Sequence, residues 1–149
     1  RVCLYWKDVL LGKQRIYEDL GFECVSAGHM LDPLFLPRLK SIISISDLTL
    51  TNIVSSQVGF CIFLGKPIVV LENKLNLKTS KYWQKRINQI FKSKAYTDIL
   101  NEFIKQNYKI TPKQRQLIDK YWGTSNIKSK KELKKIVAQT QNLYQNLNS

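Results

Sequence analysis

One histidine and three cysteines leave this chain without the raw material for a multi-histidine metal centre or a zinc ribbon. Cys3, Cys24 and Cys61 each lie inside an apolar run with no CxxC spacing. They read as small buried hydrophobes in a reducing compartment rather than as a disulfide framework. No apolar run approaches the ~20 residues that cross a bilayer; the longest are broken by Gly, Lys or Ser. Position 1 is Arg rather than Met, and an apolar strand follows almost at once with no signal or transit segment. The expectation is therefore a fragment of a longer protein. Acidic residues are scarce too, 11 against 24 Lys and Arg, for a formal net charge of +13. That scarcity is local. Residues 1–72 hold 7 of each sign, whereas residues 73–149 hold 17 basic and 4 acidic residues and carry the whole net charge.

What is present suffices for one domain: 149 residues, 44% hydrophobic, make a core of ordinary size. The apolar runs Val2–Trp6, Phe22–Val25, Leu48–Leu50 and Ile68–Leu71 predict four strands. Between them the spacing predicts three helices. The first covers Lys13–Leu20, with Ile16, Tyr17 and Leu20 on one face and Gly21 as its stop. The second opens at Asp32-Pro33 with Asp32 as N-cap, and its apolar face is Leu39, Ile42 and Ile43. The third runs from Ser55-Ser56-Gln57 to Leu64 and is stopped by Gly65. Short connections between continuously apolar strands call for a parallel sheet with helices on both faces. Past Asn73 the strands stop. Tyr82–Phe91, Tyr96–Asn107 and Thr111–Trp122 carry helical spacing, and Ser129-Lys130-Lys131-Glu132 is a capping box that opens a last helix, expected to fray from Gln139 on. The chain thus divides into an α/β part, 1–75, and a basic α-helical part of the same domain, 76–149.

The stretch Asp47–Glu72 reads as strand, polar turn, short helix, Gly65-Lys66-Pro67 turn and strand. Such a unit aims the unpaired N–H groups of its helix out of the C-terminal edge of the sheet, where phosphates bind. Thr51, Asn52, Ser55, Ser56 and Gln57 with Gly59 supply small side chains and extra donors at that junction. Plain helix capping accounts for the same residues equally well. Ser26-Ala27-Gly28-His29 closes the preceding strand on the same edge. This places His29 within reach of a ribose or phosphate, without making it a general base.

These segments in order resemble the C-terminal half of GT-B glycosyltransferases, closest to bacterial enzymes of surface polysaccharide and lipopolysaccharide assembly. The matching residues are Tyr5-Trp6-Lys7-Asp8, Ala27-Gly28-His29, Asp32-Pro33, Ser46-Asp47, Thr51-Asn52, Ser55-Ser56-Gln57 and Gly65-Lys66-Pro67, then Thr111-Pro112 to Tyr121-Trp122-Gly123 and Lys128-Ser129. The resemblance implies a Rossmann-like parallel sheet, half of a GT-B fold, plus an α-helical C-terminal segment. It also implies a nucleotide-sugar donor held by Gly28, His29, Thr51, Asn52, Ser55, Ser56, Gln57 and Gly59. It implies neither a metal nor a cofactor. The catalytic base belongs to an absent N-terminal half, so the fragment alone should be inactive. Ser55-Ser56 stands where many relatives have Gly-Thr, and no E-x7-E pair is evident, which leaves donor nucleotide and stereochemistry open. Paired Ser after a His loop also resembles bacterial sialyltransferases, but Met30 replaces the Pro of their His-Pro motif.

In the basic segment, Tyr82, Trp83, Tyr96, Tyr108, Tyr121 and Trp122 alternate with lysines. Nucleic-acid binding is one reading. Their helical spacing with Ile and Leu favours a helix-on-sheet core, with the lysines as a solvated face. A basic face also suits a cytoplasmic enzyme lying peripherally at the anionic inner face of the membrane, near lipid-linked acceptors. The rival functions are a sugar-nucleotide epimerase on the same fold and a non-catalytic basic module binding nucleic acid or membrane.

Overall fold

The computed structural model describes residues 1–71, 80–105 and 108–147, and the backbone alone at Trp83. Glu72, Asn107 and the boundary placed between residues 75 and 76 lie outside the described residues, as does the side chain of Trp83.

The fold is mixed α/β with parallel strands. In order come β1 (Val2–Cys3), α1 (Trp6–Leu10), α2 (Arg15–Glu18), β2 (Cys24–Val25), α3 (Phe35–Ser44), β3 (Thr49–Thr51), α4 (Ser56–Phe63) and β4 (Ile68–Val70). Among the described residues four α-helices follow, α5 (Lys81–Phe91), α6 (Lys94–Phe103), α7 (Pro112–Trp122) and α8 (Lys130–Leu147), with a 3-10 turn at Thr124–Asn126 between the last two. The element order agrees with the spacing in the sequence except at α1, a helix where the end of a strand and a connection were expected, and the sheet does not agree. Among the described residues the strands form two separate parallel pairs, β1 with β2 and β3 with β4, instead of one four-stranded sheet.

Burial explains the split. β4 is wholly buried, whereas Cys3 of β1 is exposed and β2 is only half-buried. The first helical crossover is two short pieces with no buried residue, and Leu10, Leu11, Ile16 and Leu20 face outward. A two-residue strand with little covering apolar surface has nothing to extend its ladder. Cys3 is therefore not the buried hydrophobe its setting suggested; only Cys61 is buried.

The core sits on the second pair. Ile43 of α3, Val58, Cys61 and Ile62 of α4, and Ile68 and Val70 of β4 form one cluster with Ile99 and Phe103 of α6 and Ile118 of α7. α7 is tightly specified at both ends. Thr111 and Gln114 form a reciprocal capping box, Pro112 opens the helix, and Gly123 ends it at φ 64°. The Tyr121 hydroxyl donates to Asp98 (2.6 Å) and ties α7 to α6. Tyr96 packs against Phe91 at 4.8 Å between ring centres. Tyr82 and Tyr108, by contrast, are exposed and belong to no core. Burial alone would raise the Glu102 carboxyl, but Lys113 (3.0 Å) and Lys105 (3.4 Å) hold it below the usual range.

Ser129 and Glu132 cap α8 as the sequence predicts, and the helix extends past Gln139 to Leu147. No residue of α8 is buried. Among the described residues no helix is long and apolar enough to cross a membrane.

Candidate functional site

The loop from β3 into α4 is held from inside. Thr51, the last residue of β3, is buried, and its hydroxyl bonds the carbonyl (3.1 Å) and the N–H (3.4 Å) of Ile53. The Gln57 amide, one turn into the helix, donates to the same hydroxyl. Thr51 and Gln57 thus clamp the loop by bonding to each other.

Their clamp sets the residues between them outward. Asn52 and Ser56 are exposed. Ser55 is the N-cap, in extended conformation (φ −146°, ψ −178°), and its side chain makes no capping bond. The first-turn N–H groups of α4 are therefore not closed off by the hydroxyl that usually takes them. Gly59 does not belong to this turn. It is buried within α4, where a Cβ would meet the Trp122 ring at 3.3 Å, so its missing side chain serves the α4–α7 contact.

A second loop closes β2. Gly28 adopts φ +85°, and its N–H donates to Ser26 Oγ (3.2 Å). A Cβ there would stand 3.0 Å from Arg38 Nη1, the movable end of a long side chain, so it is the positive φ that requires glycine. His29 Nδ1 accepts from the Leu31 N–H (3.1 Å), which leaves Nε2 to carry the proton of a neutral ring. That exposed ring meets Trp6 edge-on at 4.5 Å. Asp32 is not the N-cap expected of it, since α3 begins later, with Leu34 in that position. Its carboxylate accepts from the Leu34 N–H (2.8 Å) and pairs with Arg38 (2.6 Å), and these contacts, the N–H first, hold it below the usual carboxylate range.

Arg38 also donates to the Ala27 carbonyl at 3.4 Å. It is the cation that sequence reasoning passed over. On α3 it looks like any solvated arginine, and only the fold of the Gly28 turn brings it beneath that loop. Among the described residues no hydrogen bond or ion pair joins the two loops, which end strands of different sheets. Gly28 and His29 form one cluster with Trp6 and Arg38, and Asn52, Ser55 and Ser56 form another.

An open depression of about 410 Å³ lies at the other end of α4. Ile62 and Phe63 line it with Arg115, Asp119 and Ser125. Asp119 is occupied there by the Ser125 N–H (2.6 Å) and the Thr124 hydroxyl (3.0 Å), so its carboxylate organises the turn after α7. Among the described residues no three His, Cys, Asp or Glu side chains gather as a metal site. Compared with family models, characterised proteins and solved structures, the chain gives no significant match.

Proposed function

We propose that this chain is the donor-binding part of a GT-B-like glycosyltransferase, with a Rossmann-like unit that holds a nucleotide sugar for transfer to a polysaccharide or lipid-linked acceptor. The observation that carries the reading is the β3–α4–β4 unit. It is a parallel pair joined through a helix whose N-terminus is uncapped by its Ser55 side chain and flanked by exposed Asn52 and Ser56. N–H groups and helix dipole there favour a diphosphate. Set in place before reaction, they stabilise charge on the departing nucleotide, so this chain's own contribution is binding and leaving-group stabilisation. The donor set is accordingly Asn52, Ser55 and Ser56, with Thr51 and Gln57 as positioning residues. On the second loop, His29 offers an Nε2–H donor beside Arg38. The base that activates the acceptor belongs to another part of the enzyme.

Calorimetric titration with UDP-, GDP- and CMP-sugars tests this. Binding of one class, competed by the free nucleotide, is the expected result, and heat from none of them removes the proposal. An epimerase would bind the same ligands but convert them without an acceptor, which a product assay on the donor alone reveals.

A further inference from the structure

The apolar residues of α8 face outward. Leu133, Ile136, Val137, Leu143, Tyr144 and Leu147 are between 47% and 83% exposed. At ~100° per residue these six, with Thr140, fall within an arc of roughly 120°. Lys130 and Lys134 border that stripe on the Val137 side, and Lys131 and Lys135 lie further round. Glu132 is the only acidic residue in the helix, and its carboxylate is engaged by the Ser129 N–H at 2.7 Å. Glu132 borders the stripe on its Leu143 side, so the helix carries four lysines against one carboxylate and is cationic on balance.

We propose that α8 lies in the plane of an anionic bilayer surface, its apolar stripe at the level of the acyl boundary and its lysines among the headgroups. Length and composition suit this placement, since an amphipathic helix with a narrow apolar face rests in the interface instead of spanning it. Charge selects the occupant. Residues 73–149 carry 17 Lys and Arg against 4 acidic residues. A nucleic acid would neutralise those cations but leave the stripe in water. A second copy of α8 would cover the stripe but bring two cationic helices together. An anionic membrane answers both features at once. The inference is independent of the nucleotide-sugar reading, because vesicle binding requires no donor.

The test is co-sedimentation of the full chain with phosphatidylcholine vesicles, with and without phosphatidylglycerol. Binding is expected only to the anionic vesicles and weakens as salt rises. Lys130→Gln or Lys134→Gln each lowers the partition coefficient about five-fold. The double variant Ile136→Gln/Leu143→Gln abolishes binding with an unchanged melting temperature, because neither residue is part of the core. Three results would overturn the proposal: no binding to anionic vesicles, undiminished binding by the apolar double variant, or a concentration-dependent dimer in light scattering that this variant dissolves. Binding to duplex DNA at a salt concentration where anionic vesicles are ignored would also count against it.

Discussion

At Gly59 the main chain of α4 runs so close to α7 that any side chain meets the Trp122 ring. Gly59→Val should destabilise the fold by about 1–3 kcal/mol through overpacking, read from urea denaturation, and leave nucleotide affinity untouched. The sequence placed Gly59 with the phosphate turn because a small residue at a strand-to-helix junction allows close approach, and nothing local reveals a ring that arrives from a helix far down the chain. The bond between Thr51 and Gln57 was not legible, since a hydroxyl and an amide near a helix start suit a ligand or each other equally well. Gly28 and His29 follow β2 as expected, but on a different strand pair from the β3–α4 loop instead of on one shared sheet edge, and Arg38 carried no signal. Asp32 offers a check by pH. Its carboxyl lies below the ordinary value of about 3.9, held there by the Leu34 N–H and then by Arg38. A depressed carboxyl contributes stability above its unfolded pKa and loses it as pH falls through the folded one. The Asp32→Asn variant should therefore lose less stability than the parent as pH falls below the ordinary carboxylate value of about 3.9, as measured by acid unfolding.

Among the elements, those with local punctuation were readable. Thr111-Pro112 with Gln114, Ser129 with Glu132, Gly65 and Gly123 mark helix ends by bonds or φ values that involve only near neighbours. The sheet was less readable, because pairing depends on what covers the strands, and an apolar run such as Val2–Trp6 says nothing about its cover. α4 is the element on which function is proposed to rest. Ser56 is its first residue and Ser55 before it is already extended, so proline is compatible there. Ser56→Pro keeps the helix start while removing an N–H and a hydroxyl donor. Donor affinity should fall roughly ten-fold or more at ~1.5–3 kcal/mol per charge-assisted bond, with unchanged circular dichroism. Unchanged affinity would return the loop to capping alone.

The core joins β4 and α4 to α6 and α7, so these C-terminal helices are part of what holds the β3–α4–β4 unit together. Phe103 is fully buried at that junction. Phe103→Ala should cost about 3–5 kcal/mol, and amide exchange should show β4 losing protection together with α6. Exchange confined to α6 would mean that the two parts unfold separately. The central claim, a nucleotide-sugar site at the uncapped start of α4, is tested most directly by amide shift mapping during titration with nucleotide sugars. The expected result is saturable shifts at Asn52, Ser55 and Ser56, with a second set at Gly28 and His29. Shifts that gather instead around Arg115 and Ser125, or none with any of the three donor classes, would contradict it.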